Sequence, residues 1–202
     1  MRALVRKSKH RQTARQIQPY PGQGQRMSGA LIRCFVAIPV SSEIAQICAD
    51  VARAAHCGRS LPAENLHLTL AFLGDQTRNA LIELNDHLEA LKRPAFSIRL
   101  SGLGSFGNSL HMVVEPDPEL LRLHESVLQC IRRAGLTLQR RRFRPHITIV
   151  RGIESALNMG FLHIPVPQAT MVVTQFNLNS STLRPDGARY ETLSTYSLQL
   201  QG

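Results

Sequence analysis

Hydrophobic positions along the chain fall into short runs of strand period separated by longer stretches of helical period. Residues 32–38 form a nearly continuous apolar run closed by Pro39, the pattern of a buried strand. Ser41-Ser42-Glu43 then opens a helix through about Ala55. Residues 65–73 predict a second strand, ended by Gly74-Asp75. From Thr77 the leucines at 81, 84, 88 and 91 recur on one helix face, and Pro94 stops that helix. Residues 96–104 and 110–114 predict two antiparallel strands joined through Gly107-Asn108. Pro118 begins a helix that ends at Gly135, with Leu120, Leu121, His124, Val127, Leu128 and Ile131 on its inner side. Further strands are expected over 144–150, 170–178 and 190–200, with a Pro185-Asp186-Gly187 turn before the last. The sum is an α+β fold with a repeated strand–helix–strand rhythm.

Two of these strands echo each other. Asn65-Leu66-His67-Leu68-Thr69-Leu70 is answered by Arg144-Pro145-His146-Ile147-Thr148-Ile149, and a glycine follows each, Gly74 and Gly152. The histidines stand 79 positions apart, close to half of the folded part, as a duplicated, two-lobed architecture would place them. Strand alternation turns His67 and Thr69 to one face and Leu68 and Leu70 to the other, and likewise His146 and Thr148 against Ile147 and Ile149. Facing each other across a groove, two such strands would present two imidazoles and two hydroxyls.

Those groups suit phosphodiester chemistry. Imidazole titrates near neutrality and can serve as acid or base. Threonine hydroxyls and a cation can hold phosphate oxygens as charge builds on them. Arg151, five residues after His146, is the candidate cation, and no carboxylate-rich cluster suggests a metal. A bridging metal between the two histidines would lack further ligands. A lone strand histidine is commonly a packed or surface residue; the matched pair is what argues for catalysis.

The paired tetrads resemble those of the 2H phosphoesterase superfamily, and within it the bacterial RNA 2′,3′-cyclic phosphodiesterase branch, historically called 2′-5′ RNA ligase. Supporting segments are Arg33-Cys34-Phe35-Val36-Ala37-Ile38-Pro39, Asn65 to Gly74, Phe143 to Arg151, and Gly187-Ala188-Arg189-Tyr190 followed by Leu193. The resemblance implies a bilobal fold of two pseudo-symmetric strand–helix lobes around a central cleft. It also implies opening of a terminal 2′,3′-cyclic phosphate to a 2′-phosphate, without cofactor or metal, and a weak, reversible 2′-5′ ligation. By that analogy His67 is the proton donor and His146 the proton acceptor, with Thr69, Thr148 and Arg151 binding phosphate. Phe72 is either a surface on which a base stacks or ordinary core. His111 departs from the apolar or aromatic residue usual at its place; it reads either as a residue near the groove or, the preferred reading, as a strand-surface histidine. His10, His56, His87, His124 and His163 have no motif context and read as scattered solvated or helical residues.

Charge changes the picture only locally. Of the formal net charge of +10, +7 comes from residues 1–26, which hold no acid, so the body carries only +3. The basic leader has no apolar core of a secretory signal and suits a transit peptide, a polyanion-binding arm, or a disordered extension ahead of a start at Met27. The expected layout is a disordered extension over 1–30 and one bilobal domain over 31–202. In the body, Arg140-Arg141-Arg142 and Arg144 run straight into the second motif. Such a run is commonly a solvated loop, but beside His146 it reads as a contact for an RNA backbone, with Arg142 and Arg144 touching substrate.

The four cysteines show no paired spacing and read as free thiols of a reducing cytoplasm. The longest apolar runs are too short for a bilayer, and a monomer without membrane contact is expected. Two other readings stay open: a phosphodiesterase of small nucleotides such as ADP-ribose cyclic phosphate, and a non-catalytic RNA-binding module.

Overall fold

The protein was analysed as a computed structural model that describes residues 30–139, 142–153, 164–185 and 187–200. The basic leader, Arg140, Arg141, His163 and Asp186 lie outside the described residues. In chain order the elements are β1 (Ile32–Pro39), α1 (Ser42–Ala54), β2 (Arg59–Ser60), a 3₁₀ turn (Ala63–Asn65), β3 (His67–Gln76), α2 (Arg78–Glu89), β4 (Phe96–Phe106), β5 (Ser109–Val114), α3 (Pro118–Arg133), β6 (His146–Arg151), β7 (Thr170–Val173), β8 (Gln175–Arg184) and β9 (Gly187–Ser197).

Each helix starts where its sequence supplies a cap. The Ser41 hydroxyl accepts from the Ile44 amide, the Thr77 hydroxyl from Ala80, and the Asp117 carboxylate from Glu119 and Leu120. The inner face of α3 differs from expectation: Leu123 is fully buried while Leu121 is 43% exposed. Its buried positions 120, 123, 126, 127, 130 and 131 follow the three-four spacing of a single stripe, which the doublet Leu120-Leu121 had obscured.

The strands run in the order β7-β4-β5-β6-β3-β1-β8-β9, with β2 added beside β6. The path divides into two antiparallel halves of four, β3-β1-β8-β9 and β6-β5-β4-β7, so the expected pseudo-symmetry is present in the topology. The halves meet at β3 and β6, which share one registered pair, Leu68 with Ile147. Beyond that pair they diverge: β2 takes up the edge of β6, and α3 packs beside β3. One continuous core spans both halves.

The single strand expected over 170–178 is two. β7 pairs with β4 in one half and β8 with β1 in the other, so the chain crosses between halves at Thr174. Hydrophobic period cannot reveal such a crossing, because both strands alternate normally. The strand of the first motif also runs past Gly74 to Gln76 rather than stopping there. Gly74 and Gly152 both take a left-handed φ, 71° and 74°, where a side chain would be strained. β2 and the 3₁₀ turn have no periodic signal and were not expected.

Candidate active site

Both motif strands begin at their histidine, so the carbonyl two residues back is free of the ladder. His67 Nδ1 lies 2.8 Å from the Asn65 carbonyl oxygen, and His146 Nδ1 lies 2.7 Å from that of Arg144. A carbonyl only accepts, so Nδ1 carries the proton in each ring and Nε2 is left for chemistry. The echo in sequence thus extends to the hydrogen bond that sets each tautomer.

Extending the Leu68–Ile147 register by one residue sets His67 across from Thr148 and Thr69 across from His146. On that register two imidazoles and two hydroxyls flank the seam, each kind on a diagonal. Diagonal neighbours of this type lie about 7 Å apart, enough to seat a phosphate between the rings. All four residues are half-buried.

Strict alternation would turn Arg151 and Phe72, each five positions past its histidine, to the opposite face. Matching bulges correct this. In β3, Val36 pairs with Ala71 and Ala37 with Thr69, leaving Leu70 as an extra residue. In β6, Leu110 pairs with Val150 and His111 with Thr148, leaving Ile149 extra. A bulge leaves backbone groups without ladder partners, and both displaced carbonyls are met from outside. The Ile149 oxygen accepts from the Leu61 amide at 2.8 Å, and the Leu70 oxygen from His124 Nδ1 at 2.9 Å. His124 is therefore not a scattered helical residue. It pins the bulge of the first motif from α3 and stacks on Phe143, ring centroids 3.9 Å apart, just before the second.

The rings of the pair sit in aromatic surroundings. His67 lies 4.8 Å from the Phe35 ring and 5.3 Å from that of Tyr190, by centroids. His146 lies 5.1 Å from Phe106 and 5.0 Å from His111. The reading of His111 as a surface residue is overturned. It is 3% exposed, stacks on Phe106 at 4.0 Å, and its Nδ1 has no hydrogen-bond partner. Pairing of β4, β5 and β6 places it there, with Gly104 across from it leaving room. Burial, then the charge of His146, pushes its pKa down to about 4.

Burial also pushes His67 down to about 4; Arg151 and His146 add to this, and the hydrogen bond to Asn65 opposes it. His67 is therefore neutral at pH 7. An anion held by Arg151 and the two threonines would offset the positive charges and raise it. We expect the His67 ring signals in an NMR titration to move near pH 4 in the free enzyme. With saturating inorganic phosphate they should move at least about one pH unit higher. A midpoint unmoved by phosphate would assign His67 to the accepting role.

A cleft of about 850 Å3 opens from this centre. His67, Thr69, Phe72 and Arg151 line it, and Phe72 is 49% exposed, which disposes of the core-packing alternative. Arg142 and Arg144 do not line it; the Arg144 guanidinium lies 5.7 Å from the centre of the Phe106 ring instead. The arginines that do line it, Arg33, Arg59, Arg184 and Arg189 beside Arg151, come from four separate segments, and no local run signals them. Phe35 and Tyr190 were likewise missed as site residues, although both fall in the segments that carry the resemblance.

The profile of the 2′-5′ RNA ligase superfamily matches residues 39–179. The chain is 29% identical over 184 residues to an RNA 2′,3′-cyclic phosphodiesterase of Thermotoga maritima, covering 85% of this chain and 97% of that protein. It is 30% identical over 175 residues to the Escherichia coli protein of the same name, covering 82% and 96%. The crystal structure of E. coli LigT in apo form superposes with a TM-score of 0.70 at 28% identity, over 85% of this chain and 99% of that one. With matched histidines, threonines and bulges on two pseudo-symmetric strands, and a family match over most of its length, this chain belongs to the 2′-5′ RNA ligase superfamily of 2H phosphoesterases.

Proposed function

We propose that this protein hydrolyses 2′,3′-cyclic phosphate ends of RNA to 2′-phosphates. The observation that carries the reading is that His67, Thr69, His146 and Thr148 flank the registered Leu68–Ile147 pair from both strands, each histidine with Nδ1 tied back to a carbonyl and Nε2 left for chemistry. The names of the relatives from T. maritima and E. coli support the substrate.

In this reaction Thr69, Thr148 and Arg151 hold the non-bridging oxygens of the cyclic phosphate and take up the charge that grows on them. His146 Nε2 removes a proton from water as the water oxygen bonds to phosphorus. The bond from phosphorus to O3′ breaks, and protonated His67 Nε2 gives its proton to the departing oxygen. The donor role needs the bound anion to raise His67 from the low value that burial gives it. The pair ends the turnover with the proton on the other ring and resets by exchange with solvent. With a 5′-hydroxyl in place of water, the same two rings account for weak 2′-5′ ligation without a nucleotide cofactor: the 5′ oxygen bonds to phosphorus as the bond to O3′ breaks, and the reverse step cleaves the 2′-5′ link. The chain is taken to act as a monomer in the cytoplasm, and among the described residues no helix is long and apolar enough to cross a membrane.

The test is direct. Purified protein with EDTA is incubated with an oligoribonucleotide carrying a 2′,3′-cyclic phosphate, and the product phosphate is located. A 2′-phosphate end is the expected product. A 3′-phosphate would reverse the leaving group, and no hydrolysis would move the assignment to a binding module.

A further inference from the structure

The two reacting rings are held alike at one point and differently at another. Each is tied at Nδ1 to a carbonyl two residues back. One such bond leaves a ring free to swing, because the χ2 torsion of histidine is broad. Around His67 the swing is blocked by Phe35, tilted 32° to it, and by Tyr190, edge-on at 85°. Around His146 the two neighbouring rings are Phe106 and His111.

Phe106 and His111 lie nearly parallel, their planes 18° apart and their centroids 4.0 Å apart. The His146 ring is inclined to them by 82° and 65°, and its centroid is almost equally far from both, 5.1 and 5.0 Å. A ring placed so stands beside the stack, not on it, with its face along their two edges. Two supports 4.0 Å apart stop the ring from swinging, where one would serve as a pivot. The positive edges of aromatic rings also favour the negative face of a neutral imidazole, the form an acceptor needs. His111 reaches this place because β5 sets it across from Thr148 and because Gly104 on β4 has no side chain. A Cβ on Gly104 would lie 2.6 Å from His111 Nε2. The glycine is needed for that space and not for its backbone, since its φ is not positive.

Building on the proposed hydrolysis, we propose that His111 is a positioning residue for the proton acceptor: with Phe106 it forms the rest that fixes the plane of the His146 ring, and so the direction of Nε2 toward the attacking water. Its own ring is buried and takes no part in the proton transfer. Burial holds it uncharged at neutral pH, so it does not repel the imidazolium that His146 becomes in each turnover.

The experiment measures kcat and KM for an oligoribonucleotide with a 2′,3′-cyclic phosphate end. His111→Leu fills the core but offers no ring edge. It should lower kcat about 10- to 100-fold with KM within about threefold, since Thr69, Thr148 and Arg151 still hold the phosphate. His111→Phe restores an edge and should recover most of that loss. Both variants remove a buried nitrogen that has no partner, so both should fold. Gly104→Ala drives a Cβ into the His111 ring from two strands away and should reproduce the loss in kcat. In a His146→Asn background, His111→Leu should cost little more, because it acts through a ring already gone. An unchanged kcat in His111→Leu or in Gly104→Ala would overturn the positioning role. So would a phenylalanine variant as slow as the leucine one, an equal loss in both backgrounds, or a rise in KM alone. No hydrolysis by the native protein would sink the activity itself.

Discussion

Replacing His67 or His146 by asparagine is expected to lower kcat/KM about 10²- to 10⁴-fold each, with the double variant little worse than the single ones. Asparagine is chosen because its amide can still donate to the Asn65 or Arg144 carbonyl, the bond each Nδ1 makes now, while offering nothing at the place of Nε2. A fold kept and a rate lost would then locate the chemistry at Nε2. The two variants should part on a substrate whose bridging O3′ is replaced by sulfur. A thiolate leaves without a proton, having a pKa near 8.5. His67→Asn should regain much of its rate on that substrate and His146→Asn should not, because water still needs its base. Rescue of His146→Asn alone would exchange the two roles. The question is a sharp one here, since burial, with Arg151 nearby, holds the His67 pKa well below the ordinary imidazole value.

What could be read from sequence was what strand periodicity carries. His67, Thr69, His146 and Thr148 share a face by alternation within their own strands, so their grouping needed no partner strand. Arg151 was reached from its place five residues after His146 and Phe72 by family likeness, although alternation alone would have put both on the wrong face. The bulges at Leu70 and Ile149 exist only as a count of residues against a neighbouring strand. No property of Leu or Ile announces them. His111 was misplaced for the same reason: its neighbour His146 is 35 residues away in the chain and arrives through sheet pairing. The basic run at 140–144 drew attention because it is contiguous, whereas the arginines of the cleft come together only through sheet pairing, Arg59 beside Arg151 on β2 and β6, and Arg33 on β1 next to the β8–β9 hairpin of Arg184 and Arg189.

That geometry hangs on the seam between the halves. Leu68 and Ile147 form its one registered pair, both are fully buried, and each lies between the histidine and threonine of its motif. Leu68→Ala or Ile147→Ala should cost about 2–5 kcal/mol, since the cavity cannot refill without moving a motif strand. For a chain of this size that is a fall in Tm of roughly 2–4 °C per kcal/mol. The double variant should depart from additivity by about 0.5–3 kcal/mol, because the two side chains share one site. Each single variant should also lose rate well below its new Tm, although no catalytic group is gone. Displacing reacting groups by about 1 Å can cost a hundredfold, and the register here sets the diagonal between the imidazoles. Unfolding followed by circular dichroism and by loss of activity should give one coincident transition. We propose on the strength of the shared core that residues 31–202 act as one domain; two separated transitions would mean that each half folds alone and the seam only docks them. A fall in Tm with the rate untouched would show that something other than the seam aligns His67 with His146.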